Sequence, residues 1–238
     1  MPIQPVAVEF DTQRIVPYFQ PIMDLNTDNV WSYECLARLL DDNDNLFLPS
    51  DFLSLVEQQD NTSELTRHVF LRSAEFFRRH SVPFSINLAK EDIQQPHLLP
   101  FLEEVLADYP NPGRVQLEVS ADLASECLPQ LTELLAQLQS LKVGIMLDHF
   151  GVHDEHESLL ELPVSGVKFD GRLIRQLVID EGRQARVKKL LDQAHWMGMI
   201  AVAEHIEDAL TLETVEELGF HYGQGFYFSL PQANPSDS

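Results

Sequence analysis

Basic residues are scarce in this chain. Its 238 residues hold 16 Lys and Arg against 38 Asp and Glu, giving a net charge of −22 and a pI of about 4.5. Such a surface repels nucleic-acid polymers and anionic membranes. It leaves room for a small anion held by metal ions and one or two arginines. Cysteine is rarer still. Cys35 and Cys127 offer at most one bridge, which is no disulfide framework, so a reducing cytosol is expected. No apolar run approaches the ~20 residues that a membrane-spanning helix needs. The opening MPIQPVAVEF has neither the basic region nor the apolar stretch of a signal peptide. No Pro/Gly/Ser linker and no repeat of fixed period divides the chain. A single domain over 13–231 is therefore expected, with a lead-in over 1–12 and a polar, frayed tail over 232–238.

Hydrophobic residues are plentiful, at 44% of the chain. They fall into eight short runs: YFQPIMDL, WSYECLARL, FSINLA, VQLEVS, VGIMLDHF, GVKFD, MIAVAEHI and HYGQGFYF. Each carries a polar residue at or near its end. In order these are Gln20, Glu34, Asn87, Glu118, Asp148, Lys168, Glu204 and Gln224. Strands that deliver functional side chains from their C-terminal ends describe a (β/α)8 barrel. Only Asn26-Thr27-Asp28-Asn29 separates the first two runs. That is a hairpin, because parallel neighbours need a crossover of about a dozen residues or more. The fold class predicted is α/β, a modified (β/α)8 TIM-type barrel with an antiparallel first strand.

Helical patterns fill most of the remaining gaps. One opens with a capping-box pattern at Asn61 to Glu64 and runs to about His80. Others cover about Leu98 to Asp108, Ser125 to Ser140 and Ala209 to Leu218, the last closed by Gly219. Arg172 to Trp196 reads as a long helical stretch, broken near Gly182 and ended by Gly198.

Four carboxylates, an amide and a lysine at one barrel mouth suit divalent-metal and phosphate chemistry. Several like charges there repel unless a cation lies among them. Oxygen ligands without cysteine favour Mg²⁺ or Mn²⁺. Lys168 is read as orienting a water or neutralising a phosphate, with a plain ion pair as the bland alternative. Arg38, four residues after Glu34 on the same strand face, suits a phosphate clamp; its bland alternative is a surface salt bridge. Cys35 points to the opposite face and is expected in the core. His68, His80, His97 and His195 lack ligand spacing and read as structural or surface residues. The segment 148–157, DHFGVHDEHE, holds three histidines and four acids. A metal site from His149, His153, His156 and His205 is one reading; a solvated acidic loop is the one preferred on spacing alone.

In this order the motifs resemble those of the EAL domain family, cyclic di-GMP phosphodiesterases and their degenerate relatives, from about Tyr18 to Pro231. The founding motif stands as Glu34-Cys35-Leu36, followed by Arg38. The N-L-S segment is Asn87-Leu88-Ala89, and L-E-hydrophobic-S is Leu117 to Ser120. D-D-F-G is Asp148-His149-Phe150-Gly151, K-hydrophobic-D is Lys168-Phe169-Asp170, A-E-G-V-E is Ala203 to Glu207, and Q-G-Y/F is Gln224-Gly225-Phe226. The resemblance implies hydrolysis of cyclic di-GMP to linear pGpG by two Mg²⁺ or Mn²⁺ ions. It implies that Glu34, Asn87, Glu118 and Asp148 hold the first metal and that Lys168 orders the attacking water. Glu204, Glu207 and Asp170 would complete the second-metal and nucleotide surroundings. Gln20, Leu36, Arg38 and Gln224 would shape the nucleotide site.

The departures fall on one mechanism. His149 replaces the second-metal aspartate, and a neutral imidazole supplies one nitrogen and no charge. The loop after it is about two residues longer than T-G-Y-S-S and has lost its glycine. The glutamate that anchors this loop in the family is Ala121 here, and the glycine of A-E-G-V-E is His205. The first-metal set is intact. These features predict a degenerate domain of weak or absent turnover, acting as a cyclic di-GMP receptor or a protein-interaction module. The alternative is a working phosphodiesterase with a rebuilt second site. Family members often dimerise through the face carrying the loop after D-D-F-G; a homodimer stays open here, and the altered loop points to its loss or rearrangement. A protein partner is expected, of no chemistry that the sequence specifies.

Overall fold

The computed structural model describes residues 11–43 and 45–235. Most of the 1–12 lead-in and the last three tail residues lie outside them. Gln232 is not frayed: its N–H donates to Phe19 O at 3.0 Å and its C=O accepts from Phe19 N at 2.8 Å.

Two long strands open the fold, β1 (Ile15–Asp24) and β2 (Asn29–Leu40). Asp24 Oδ1 accepts from the amides of Asn26 and Thr27, and Asp28 takes φ +56°, so the hairpin turn is set by local acceptors. β1 pairs antiparallel with β2 over its length. A short β3 (Leu46–Phe47) folds back on β2. The remaining staves are β4 (Phe84–Asn87), β5 (Val115–Ser120), β6 (Gly144–Phe150), β7 (Gly166–Phe169), β8 (Ile200–Ala203) and β9 (Tyr222–Gly223). From β2 and β4 round to β9 every pairing is parallel; β9 then meets β1 antiparallel, and the barrel closes. One reversed stave in an otherwise parallel barrel is the architecture read from the hairpin.

Helices wrap the outside. They are α1 (Pro49–Gln58), α2 (Thr62–Phe77), α3 (Lys90–Gln94), α4 (Leu98–Leu106), α5 (Ala121–Glu126), α6 (Leu128–Leu141), α7 (Gly171–Ile174), α8 (Glu181–Trp196) and α9 (Ala209–Leu218). α2 packs on the strands through aromatics: Phe19 stacks on Phe76 at 4.5 Å and Phe77 on Phe84 at 4.9 Å. Inside the barrel, Ile22, Met146 and Val202 form a small apolar plug beneath the polar strand ends. Gly166 is required there, because a Cβ would lie 2.4 Å from Ile200 O.

Several sequence expectations need correction. The Asn61 side chain makes no capping bond, so the helix opens without the expected box. The 172–196 stretch does break near Gly182, as expected: α7 ends at Ile174, and Asp180 accepts from Arg183 N and starts α8. Cys127 likewise separates α5 from α6. α1 was not foreseen, although Pro49 at its first position and Asp51 accepting from Leu48 N are ordinary start signals.

Candidate active site at the barrel mouth

Lys168 is fully buried at the centre of the barrel. Its Nζ lies 2.8 Å from Glu34, 2.9 Å from Glu118, 3.2 Å from Glu204 and 3.7 Å from Asp148. Four strands thus present four carboxylates to one ammonium. Amides complete the layer. Asn87 Nδ2 donates to Glu34 Oε1 at 2.9 Å, and Gln224 Nε2 donates to Glu34 Oε2 at 2.7 Å and to Gln20 Oε1 at 3.2 Å. Ser85, unremarked in the sequence, donates to Glu118 Oε1 at 2.5 Å. It points into the barrel because it shares register with Glu34.

One lysine cannot neutralise four buried carboxylates. Burial opposes the ionisation of Glu34, but the charge and hydrogen bond of Lys168, with Gln224 and Asn87, hold its carboxyl at about 2. Burial and then Glu34 push Glu118 up to about 7. Burial also drives Asp148 well above its ordinary value; Lys168 opposes this, and Glu204, Glu118 and Glu34 add to it. Lys168 stays charged, since the surrounding acids outweigh its desolvation. The cluster therefore carries protons near neutrality that a bound cation would displace.

Asp148 and His149 sit where the pairing of β6 with β7 slips between Leu147 and Phe150. His149 takes φ +53°, a left-handed conformation uncommon for a non-glycine residue. Such bulges re-aim side chains beside functional sites. The half-exposed imidazole has Nδ1 3.3 Å from Asp170 and 3.7 Å from Glu204, and Nε2 3.6 Å from Asp148. Glu204 pulls it up to about 9; burial works against this, and Asp148 and Asp170 reinforce it. At 3.7 Å the Glu204 contact is a charge contact rather than a hydrogen bond, and Glu204 Oε2 is buried without a hydrogen-bond partner. Asp170 is bound to Arg172 by two side-chain hydrogen bonds of 2.9 Å and accepts the Arg172 amide at 2.7 Å. Burial raises its carboxyl, and Arg172 more than offsets this.

A cavity of about 510 Å³ opens above the cluster. Gln20, Glu34, Leu36, Asn87, Asp148, His149, Glu204, Glu207 and Gln224 all line it. Glu118, Lys168 and Asp170 do not line it; they are buried and touch it only through lining residues, Glu118 by way of Lys168 to Glu34, and Asp170 by way of His149. One side is apolar, built by Leu53, Leu65, Val69 and Leu88, and Phe226 stands exposed at the rim. Arg38 is not among the lining residues. It is buried, lies over the Tyr18 ring at 5.7 Å and donates to Ala37 O. Among the described residues no carboxylate pairs with it, so it is not a surface salt bridge. Cys35 lies in the core, its thiol pushed up by burial.

The histidine-rich loop is partly a surprise. His156 is buried, with Nε2 2.8 Å from Asp122 Oδ1, so the segment is not uniformly solvated. Nor does it gather a histidine metal site. Among the described residues the one group of three or more candidate ligands is Asp148, His149 and Glu204. His205 takes φ +54° and lies against Gly171, where a Cβ would sit 2.2 Å from its Nδ1.

The closed barrel with one reversed stave carries an oxygen-rich mouth built round a lysine, where Asp148, His149 and Glu204 are candidate metal ligands. The chain belongs to the EAL domain family, whose profile matches residues 4–231. EAL domains are metal-dependent. The cyclic di-GMP phosphodiesterase PdeB of Shewanella oneidensis is 24% identical over 95% of this chain and 28% of its own length. PdeF of Escherichia coli, also a cyclic di-GMP phosphodiesterase, is 28% identical over 90% of this chain and 29% of its own. The chain thus spans less than a third of these curated relatives. Among solved structures, the FimX EAL domain of Pseudomonas aeruginosa bound to c-di-GMP superposes with a TM-score of 0.88, at 26% identity over 94% of this chain and 93% of that one. No helix among the described residues is long and apolar enough to cross a membrane.

Proposed function

We propose that this domain binds cyclic di-GMP at the barrel mouth through a divalent cation, Mg²⁺ or Mn²⁺, and turns it over slowly or not at all. The donors fit such a cation: they are hard oxygens, and Glu204 Oε2 is a buried oxygen without a hydrogen-bond donor. Glu34, Asn87, Glu118 and Asp148 would hold it. When bound it supplies charge for a phosphate oxygen and lowers the pKa of a water. The apolar wall and Phe226 suit purine faces.

One observation carries the slow-turnover part. The His149 ring stands within 3.3–3.7 Å of Asp170, Glu204 and Asp148. These are acids that a second cation would need, and imidazole is a poor ligand for Mg²⁺. The second reading, a working phosphodiesterase, rests on the completeness of the Lys168 cluster.

The test is incubation with cyclic di-GMP and Mg²⁺, then Mn²⁺, with pGpG followed by chromatography and Glu34→Ala as control. Binding without pGpG supports the receptor. Product that vanishes with Glu34→Ala establishes the enzyme. Neither binding nor product removes both readings and leaves a protein-interaction module.

A further inference from the structure

Position 121, where the family resemblance implies a loop-anchoring glutamate, is a fully buried alanine. The loop after His149 is nevertheless tied down from within. The buried His156 ring packs near Phe150, with centroids 6.1 Å apart. Its Nδ1 accepts the Gly151 amide at 3.3 Å, and its Nε2 lies 2.8 Å from Asp122 Oδ1. An acceptor at Nδ1 and a carboxylate at Nε2 fix the Nε2–H tautomer.

These contacts bridge two places that matter. Gly151, at φ +89°, closes the bulge that presents Asp148 and His149. Asp122 lies at the start of α5, directly after β5, which carries Glu118. Ser120 of β5 is in register with Asp148 of β6. One imidazole therefore clamps the ends of two adjacent strands that each supply a carboxylate to the mouth. The loop is also held by the buried side chains of Leu159 and Leu160, by a 3.9 Å contact of His153 with Asp122, and by exposed ion pairs to α8, Asp154 with Arg186 and Glu157 with Lys189, both 2.7 Å. Exposed pairs contribute little and weaken in salt. Among these polar ties the His156 imidazole is the buried one.

We infer that His156, held by Asp122, is a positioning residue that fixes the Asp148–His149 bulge. Its effect on cation binding rests on the function proposed above; its effect on the loop does not. Two readouts separate these. The first is hydrogen exchange of the Gly151 amide, with the His156 tautomer read by long-range ¹H–¹⁵N correlation. The second is titration with Mn²⁺ alone, read by electron paramagnetic resonance. His156→Phe keeps the ring and removes both hydrogen bonds. Asp122→Ala removes the outer one, with the looser 3.9 Å contact of His153, at an exposed site that does not threaten folding. Asp122→Asn still accepts from Nε2–H and serves as the conservative rescue.

The Gly151 amide should exchange about tenfold faster in His156→Phe, as one buried hydrogen bond is lost. Mn²⁺ affinity should fall by about tenfold, the scale of losing a residue that orients a metal ligand. Asp122→Ala should fall between this variant and the wild type, and Asp122→Asn should stay close to the wild type. Unchanged Gly151 exchange in folded His156→Phe and Asp122→Ala overturns the inference. So does a wild-type tautomer with the proton on Nδ1. If the wild type binds no Mn²⁺ while Gly151 responds as expected, the metal reading falls and the loop anchor stands.

Discussion

The ammonium of Lys168 and the carboxylate of Glu34 meet at 2.8 Å across the barrel, although 134 positions separate them in the chain. Glu118, Glu204 and Asp148 crowd the same ammonium. Removing one partner of such a buried set leaves charge without compensation. Lys168→Met should destabilise the metal-free domain by about 3–5 kcal/mol, the usual penalty for breaking a buried ion pair. Urea denaturation followed by circular dichroism measures this. Millimolar Mn²⁺ should recover part of the loss, because a cation replaces the ammonium among the acids. An unchanged denaturation midpoint would mean that the carboxylates simply take up protons.

Two groups make stability fall as pH rises in EDTA. Glu118 has its folded-state pKa raised from 4.5 to about 7, and His149 from 6.5 to about 9. A raised group binds its proton more tightly in the folded state. Its contribution is complete below the unfolded value and is lost as pH climbs through the folded one. Stability should therefore decline between about pH 4.5 and 7 through Glu118, and again between 6.5 and 9 through His149. His149→Gln should flatten the upper limb alone. Saturating Mn²⁺ should flatten the lower limb, where the metal displaces the Glu118 proton. Thermal melts at closely spaced pH values check both; a profile that rises with pH in EDTA would refute the assignment.

Much of this architecture is legible in the sequence, for identifiable reasons. A four-residue turn such as Asn26 to Asn29 admits only an antiparallel pair, so the reversed stave follows from chain length. Period-two alternation places Glu34, Glu118 and Lys168 on one face of their strands, and closure brings those faces together. What sequence spacing misses depends on the third dimension. His156 lies among acids in the chain and reads as solvated, yet the 3₁₀ turn over Asp154–Glu161 folds its ring inward to Asp122. Ser85 gives no signal beyond its strand, because its importance comes from the register with Glu34. Arg38 shares the period of Glu34, but it lies over Tyr18 and does not line the cavity.

Arg38 tests the ligand side of the proposal. It is buried and holds no carboxylate among the described residues. Because no carboxylate holds it, a ligand phosphate would compete only with Tyr18 and the Ala37 carbonyl for its planar fork. Arg38→Ala should weaken cyclic di-GMP binding by about tenfold, within the range for one charge-assisted hydrogen bond. Arg38→Lys should fail to restore it, since a point charge does not reproduce the fork or its stacking on Tyr18. Isothermal titration at two salt concentrations reads both effects. Equal affinity in Lys and Arg forms would assign the position to bulk charge alone.

His149→Asp reverses the departure that carries the slow-turnover proposal. The backbone does not oppose it, because aspartate is among the residues that tolerate φ near +53°. A carboxylate beside Asp170 and Glu204 adds negative charge where the imidazole now stands against both. Without metal the variant should be less stable than the wild type. With metal it should bind a second Mn²⁺ equivalent, and release of pGpG should rise by about tenfold or more, a span that one metal's charge stabilisation can supply. A glutamate at Ala121 is unnecessary for this gain, since His156 already holds the loop and position 121 has no exposed surface to receive a longer side chain. Calorimetric stoichiometry and chromatographic assay on the same preparation make the outcome decisive. A second metal without a rise in product would place the block in the loop rather than at His149. A rise in product without a second metal would show that the imidazole obstructs the substrate itself.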